Sequence, residues 1–208
     1  MKPKLLVAAA VVSGVLLIAQ KTTGIFESNT DIGVTPQKGS VAYDDTKGEY
    51  RITGGGANIW AAADAFQFLW KRVSGDISLT TDVHFEGAGA VGHRKAVLMI
   101  RQSLEPDAAY ADVALHGDGL TSLQFRPTAG AITQEIRSSL TAPTRLRIVR
   151  HGNEFTMSAG APGAELQSSG PAMVVLQDPV YVGIGICSHD ASVLETAVFS
   201  NVRVESEH

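Results

Sequence analysis

Residues 110–126 read Tyr-Ala-Asp-Val-Ala-Leu-His-Gly-Asp-Gly-Leu-Thr-Ser-Leu-Gln-Phe-Arg. Apolar and polar side chains alternate on both sides of the central Gly117-Asp118-Gly119, and a period of two is typical of a strand with one buried face. Asp-Gly between two such runs favours a tight turn, because glycine adopts the positive φ that hairpin turns require. The sequence therefore predicts a β-hairpin with strands over 111–116 and 121–126.

Short strands separated by turn residues account for the rest of the chain beyond residue 24. The alternation is clearest over 77–85, and no segment of this region shows the period of an amphipathic helix. Many short strands with turns rich in glycine and proline are typical of a sandwich or a closed barrel. We expect one all-β domain over 25–208, with further strands at 39–43, 49–53, 59–61, 96–101, 145–150, 154–159, 172–176, 180–187 and 195–204.

The first residues carry a targeting pattern. Lys2 and Lys4 precede an apolar stretch over 5–19, and a basic start followed by a short apolar segment is typical of a secretory signal peptide. A spanning helix needs about 20 apolar residues, so this stretch is short for a permanent anchor. We expect residues 1–24 to be a signal peptide or an N-terminal anchor. The protein would be exported (periplasmic, cell-surface or secreted), with membrane contact only through an uncleaved segment.

Net charge limits the classes of partner, and the position of the single cysteine predicts the state of its thiol. The formal net charge is -4, with 17 Lys and Arg against 21 Asp and Glu, and no basic run of the kind that binds nucleic acid occurs. We therefore expect no nucleic-acid partner, and a neutral or weakly charged ligand. The single cysteine, Cys187, lies in an apolar run, which predicts a buried and unreactive thiol.

An ordered series of short strings resembles a known family. The strings with the most distinctive residues are Tyr50-Arg-Ile-Thr-Gly-Gly-Gly-Ala-Asn-Ile-Trp60, Lys95-Ala-Val-Leu-Met-Ile-Arg-Gln-Ser103 and Val198-Phe-Ser-Asn-Val202. Together with the 110–126 hairpin they look like the concanavalin A-like lectin/glucanase domains of the uncharacterised, enolase-regulator-like group. Similar modules occur on bacterial carbohydrate-active enzymes and behind Tol-type β-propellers. The resemblance implies a jelly-roll sandwich of two antiparallel sheets with any ligand groove on its concave face.

Strand alternation then predicts a polar surface. If Ala111, Val113 and Leu115 face the core, the neighbouring polar residues of the hairpin face outward. Such donors and acceptors suit sugar hydroxyls, and a tryptophan would add an apolar contact. The candidate ligand-binding residues are Trp60, Arg101, Asp112, His116, Gln124, Arg126 and His189. The alternative is a solvated face in which Arg101 and Arg126 pair with Asp112 across strands and Trp60 fills a core.

Catalytic motifs are missing from the sequence. Glycosidic hydrolysis normally needs two carboxylates, and retaining glucanases of this superfold carry Glu-x-Asp-x-x-Glu on one strand. The nearest string, Glu105-Pro-Asp-Ala-Ala-Tyr110, ends in tyrosine and contains a proline that favours a turn. No nucleophile elbow, phosphate loop or zinc helix is present. We predict no catalytic residue, no metal site and no cofactor, with a structural calcium ion left open at Asp44-Asp45 or Asp118.

Three functions remain open at this point. The polar row without a carboxylate pair favours an exported, non-catalytic module that binds a polysaccharide or oligosaccharide. The first alternative is a structural or protein-interaction module that meets another envelope protein. The second is a glycan hydrolase or lyase with an atypical acid–base set, such as Asp112 with His116 or His189.

Overall fold

A computed structural model describes residues 23–207, which form seventeen β-strands and no helix. The strands are β1 (Ser28–Ile32), β2 (Ser40–Asp44), β3 (Glu49–Gly54), β4 (Ile59–Trp60), β5 (Ala63–Asp64), β6 (Phe66–Val73), β7 (Ile77–Glu86), β8 (Lys95–Arg101), β9 (Tyr110–His116), β10 (Thr121–Arg126), β11 (Gln134–Arg137), β12 (Arg145–His151), β13 (Glu154–Gly160), β14 (Gln167–Ser168), β15 (Ala172–Met173), β16 (Val180–Cys187) and β17 (Glu195–Ser206).

Two antiparallel sheets stack face to face. Sheet 1 has seven strands in the order β1-β6-β16-β8-β9-β10-β11. Sheet 2 has eight strands: seven in the order β14-β13-β12-β7-β17-β3-β2, with β15 pairing β13. The short strands β4 and β5 form a separate hairpin. The all-β domain predicted from the alternation is confirmed, and of the two architectures left open, a sandwich or a closed barrel, the structure has the sandwich that the resemblance implies.

The main core lies between the two sheets. Leu98, Val113 and Ile184 of sheet 1 pack in one buried cluster with Leu79 and Ile148 of sheet 2. Because successive side chains of a strand point to opposite faces, every second residue of β8, β9 and β16 belongs to this core. The residues between them lie on the other face of sheet 1, which we call the outer face.

A second, smaller core covers part of the outer face. Phe66, Phe68, Val97 and Met99 project from this face and cluster with Ile59 of the β4–β5 hairpin. The segment that carries this hairpin therefore lies over sheet 1, whose central strands are buried on both sides. Burial on both faces explains why β8 and β9 contain no exposed residue.

Two glycines of β16 make room for this second core. A Cβ atom on Gly183 would lie 2.1 Å from the carbonyl oxygen of Leu69 and 2.8 Å from the ring of Phe68. A Cβ atom on Gly185 would lie 2.6 Å from the carbonyl oxygen of Gln67. The Val-Gly-Ile-Gly-Ile pattern thus places apolar side chains in the main core and leaves the outer face free for the phenylalanine rings.

The strands expected from sequence compare closely with those observed, with informative exceptions. Two strands, Thr121–Arg126 and Val180–Cys187, have the predicted bounds. The predicted strand over 172–176 is reduced to Ala172–Met173. The strand Phe66–Val73 was not predicted, because its first four residues are all buried and its apolar residues follow one another without a break over 68–70.

The N-terminal expectation lies mainly outside the described residues. Of the predicted signal or anchor segment 1–24, only residues 23 and 24 belong to the part that the structure describes. Within residues 23–207, no helix has the length and apolar character needed to span a membrane.

Substitution of Gly183 by alanine tests the packing of β16. We expect Gly183→Ala to lower the free energy of unfolding by at least about 1–3 kcal/mol, because the new methyl group meets a backbone oxygen that cannot move independently of β6. The matched control is Gly170→Ala, since nothing lies within 4 Å of a Cβ atom there. Urea unfolding of both variants measures the difference. Equal stability of the two variants would contradict this account of β16.

Candidate functional site

The predicted polar row does lie on one face of sheet 1. Gln124 is the cross-strand partner of Asp112, and Tyr110 pairs with both Arg126 and Arg101 on the flanking strands. Since Ala111 and Val113 belong to the main core, these polar residues occupy the outer face, as the alternation predicts. Arg101, Asp112 and Arg126, however, are each 0% exposed.

A buried carboxylate organises the two arginines. Arg126 donates from Nη1 to Asp64 Oδ2 at 2.9 Å and from Nη2 to Asp64 Oδ1 at 2.6 Å. Nη2 of Arg101 lies 3.6 Å from Asp64 Oδ2. The alternative in which both arginines pair with Asp112 is wrong, because the carboxylate that they share comes from the β4–β5 hairpin. Asp64 was not among the residues predicted from sequence.

Both guanidinium groups also fasten loops to the outer face. Arg126 donates to the backbone oxygens of Ala61, Ala108 and Ala131, and Arg101 donates to that of Glu105 at 2.6 Å. These hydrogen bonds hold three segments against the ends of β8 and β10: the β4–β5 hairpin, the loop between β8 and β9, and the loop between β10 and β11. The side chains of Arg101 and Arg126 are closed off from solvent, so a ligand-binding site on this face depends on other residues.

An open cavity of about 330 Å³ occupies the remaining part of the outer face. Its volume is at the small end of the range usual for ligand sites. Four of the residues predicted from sequence line it, namely Trp60, His116, Gln124 and His189. Residues that sequence reasoning missed complete the polar lining, namely Asn58, His93, Lys95, Glu135 and Arg137.

His116 presents a neutral imidazole to the cavity. Its Nδ1 lies 3.0 Å from the carbonyl oxygen of Leu120, and since a carbonyl only accepts, Nδ1 carries the proton. Burial, aided by the charge of Lys95, lowers the pKa of His116 to about 4. Near neutral pH the ring therefore keeps Nε2 as a hydrogen-bond acceptor.

Two further histidines stand beside His116. The ring of His93 lies 5.6 Å from that of His116 and 5.7 Å from that of His189, measured between centroids. His189 has a φ of 59°, a left-handed conformation that is uncommon outside glycine and clusters at functional sites. Burial lowers the pKa of His189. Within residues 23–207, no three His, Cys, Asp or Glu side chains converge in a way that could hold a metal ion.

Glu135 is the acidic group on the cavity wall. Arg137 donates to its Oε2 at 2.6 Å, and Gln124 donates to its Oε1 at 3.3 Å. Burial alone would raise the pKa of Glu135, but these hydrogen bonds outweigh it and the pKa lies below its usual value. Glu135 is therefore an ionised carboxylate whose charge is already matched by Arg137.

Lys95 lines the cavity, and Asp112 lies on the adjacent strand of the same face without lining it. Lys95 is 3% exposed, and its Nζ donates to Asn58 Oδ1 at 2.8 Å and to the carbonyl oxygen of Ile59 at 2.7 Å. Both carboxylate oxygens of Asp112 are enclosed and have no hydrogen-bond partner among residues 23–207. Burial raises the pKa of Asp112 well above its usual value and lowers that of Lys95.

Cys187 is the cross-strand partner of the cavity residue Lys95. Its thiol is buried and lies 3.4 Å from the carbonyl oxygen of Gly56. Burial raises the pKa of Cys187 to about 11, whereas reactive thiols have a pKa below the ordinary value. The prediction of a buried thiol is confirmed, and the direction of the pKa shift disfavours the thiolate form that a nucleophile needs.

Comparisons with known proteins locate the fold. No protein-family model and no curated protein matches the chain. A functionally unknown protein from Saccharomyces cerevisiae superposes with a TM-score of 0.63 at 14% identity, covering 81% of this chain and 92% of that one. A family 7 alginate lyase, A1-II′, covers 80% and 83% with a TM-score of 0.54 at 9% identity. Lectin II from Ulex europaeus covers 85% and 96% with a TM-score of 0.50 at 12% identity.

The chain has the concanavalin A-like fold. This agrees with the resemblance seen in the sequence strings, although identities this low show the fold alone. Concanavalin A-like neighbours of this chain include both a lectin and a lyase, and a shared fold does not determine function. The function has to be argued from the cavity.

Removal of the Asp64 charge tests the network that closes one end of the outer face. We expect Asp64→Asn to lower the free energy of unfolding by about 3–5 kcal/mol, because two buried guanidinium groups lose their counter-ion. Urea unfolding followed by tryptophan fluorescence measures the effect. The matched control, Asp44→Asn, removes an exposed ion pair with Lys47 and should change stability little. A loss in Asp64→Asn no larger than in the control would overturn this role.

Proposed function

We propose that the protein is an exported, non-catalytic module that binds a glycan in the cavity on the outer face of sheet 1. The observation that carries this proposal is the lining itself, in which a partly buried tryptophan adjoins convergent hydrogen-bonding side chains. Sugars offer an apolar ring face together with hydroxyl groups. Trp60 supplies the apolar contact, while Asn58, His116 and Gln124 supply donors and acceptors.

The distribution of carboxylates favours binding over hydrolysis. Two carboxyl groups must flank a glycosidic bond, one as acid and one as base or nucleophile. Among the residues that line the cavity, Glu135 is the one carboxylate, and Arg137 and Gln124 engage it. Asp112 is 0% exposed and does not line the cavity. No pair of carboxylates is therefore available to a substrate there.

The observation that favours a lyase, the second candidate, is the imidazole of His116 on the cavity lining. A neutral imidazole with a free Nε2 is able to accept a proton from a sugar carbon. A general base works best when its pKa lies near the working pH, however, and the pKa of His116 is lowered to about 4. An imidazole this weakly basic is a better hydrogen-bond acceptor than proton acceptor, so we favour binding.

Fold neighbours and the N-terminus supply the remaining support. Two of the structures with a similar fold are a lectin and an alginate lyase, both of which are proteins directed at carbohydrates. The basic and apolar residues of 1–24 carry the proposal of export. An envelope protein as partner is the alternative to a glycan.

A glycan-array screen of the purified protein tests the proposal. We expect binding to a defined class of oligosaccharide, and a loss of affinity of about tenfold or more, equivalent to about 1.4 kcal/mol, in both Trp60→Ala and Gln124→Ala. The control is Trp70→Phe, because Trp70 lies outside the cavity against Tyr181. Thermal unfolding establishes that the variants are folded. Absence of glycan binding, with capture of an envelope protein by the same purified chain, would favour the alternative.

A further inference from the structure

Lys95 differs from the other charged groups of the cavity. Arg137 and Glu135 neutralise each other on the wall, whereas both acceptors of the Lys95 ammonium group are uncharged oxygens. In the part of the chain that the structure describes, no carboxylate forms an ion pair with Lys95. Lysine is almost never fully buried unless it is paired, yet this one is 3% exposed.

Asp112 is the carboxyl group that would compensate Lys95 from within the protein. It lies on the adjacent strand of the outer face, but beyond ion-pair distance of Lys95. Its two oxygens receive no hydrogen bond from the residues that the structure describes, and burial raises the pKa of Asp112 well above its usual value. Both conditions favour the neutral carboxylic acid. Burial also lowers the pKa of Lys95, but the hydrogen bonds that it donates to Asn58 Oδ1 and to the carbonyl oxygen of Ile59 favour its ammonium form. Lys95 is then the cation on the cavity lining that no carboxylate of residues 23–207 pairs.

Desolvation makes such a cation a strong attractor for an anion. Removing an ammonium group from water costs several kcal/mol, and an opposite charge in the same low-dielectric environment recovers part of that cost. The ammonium group lies 5.5 Å from the centre of the Trp60 ring. A single sugar unit in a cavity of about 330 Å³ can therefore contact the indole and the ammonium group together.

We propose that the cavity binds a glycan whose sugar residues carry an anionic group, a carboxylate or a sulfate ester, and that this group pairs with the ammonium group of Lys95. This inference rests on the proposed glycan-binding function and specifies its ligand. The imidazoles of His93, His116 and His189 offer hydrogen-bond partners to the same anionic sugar. Glu135 repels no ligand strongly, because Arg137 already matches its charge.

Isothermal titration calorimetry with matched acidic and neutral oligosaccharides tests the inference. The probes are a uronic acid oligomer with its carboxyl-reduced counterpart, and a sulfated oligosaccharide with its desulfated counterpart. We expect at least one acidic probe to bind about tenfold or more tightly than its neutral match. The preference should weaken as salt is added, because ions screen charges at an open site. The probe that binds distinguishes a carboxylate from a sulfate.

The decisive variant is Lys95→Met, which keeps an unbranched chain and removes the charge. We expect it to lose the tenfold preference for the acidic probe, whereas Lys38→Met, which removes an exposed lysine outside the cavity, keeps it. A merely structural role for Lys95 predicts a lower melting temperature for Lys95→Met. If Lys95 is instead a buried charge without a counter-ion, we expect the melting temperature of Lys95→Met to equal or exceed that of the unsubstituted protein.

Each outcome of these titrations bears on the inference. Equal affinity of the unsubstituted protein for acidic and neutral probes, or a preference for the neutral ones, would overturn the inference and leave glycan binding intact. Absence of binding to every probe would overturn both. If Lys95→Met does not fold, the comparison of matched probes with the unsubstituted protein still decides between these results.

Discussion

The bidentate contact between Arg126 and Asp64 is the interaction on which the shape of the outer face depends. It joins the end of β10 to the β4–β5 hairpin, and Arg101 shares the same carboxylate from β8. Charges at 0% exposure are costly to bury, so they are tolerated only when pairing and hydrogen bonding are nearly complete. The backbone oxygens that surround Arg126 meet that condition. These contacts attach the β4–β5 hairpin to sheet 1 and also determine its position on that sheet.

The position of the hairpin divides one polar face into two regions with different chemistry. Where the hairpin is held down, Arg101 and Arg126 are enclosed by protein and their charges are satisfied. Beside this enclosed region, Trp60 of the hairpin and the preceding Asn58 line the same cavity as His116 and Gln124 of sheet 1. The same covering segment therefore closes one end of the face and builds the ligand cavity at the other.

Sequence reasoning recovered those parts of this arrangement that depend on local pattern. Alternation over Thr121–Arg126 correctly assigned its side chains to the two faces of the sheet, because the period of a strand is fixed by backbone geometry. It missed Phe66–Val73, where burial on both sides removes the alternation. It also missed Asp64, which is separated from Arg126 by 62 residues. A cavity formed by segments that are distant in the chain has no counterpart in the local alternation of the sequence, so the sequence does not identify Lys95 and Glu135 as cavity residues.

Net charge and the charges that line the cavity lead to different expectations for the ligand. A formal charge of -4 is a sum over the whole chain and carries no information about where charges lie. Acidic groups in ion pairs such as Asp82 with Arg145 and Asp178 with Arg150 contribute to this sum but do not line the cavity. A ligand responds mainly to charges within about one Debye length, roughly 8–10 Å, because salt largely screens exposed charges at greater distance. The expectation of a neutral or weakly charged ligand and the proposal of an anionic glycan therefore rest on different quantities. The first uses the sum over the chain, and the second uses the charges at the cavity, where no carboxylate of residues 23–207 forms an ion pair with Lys95 and Arg137 pairs with Glu135.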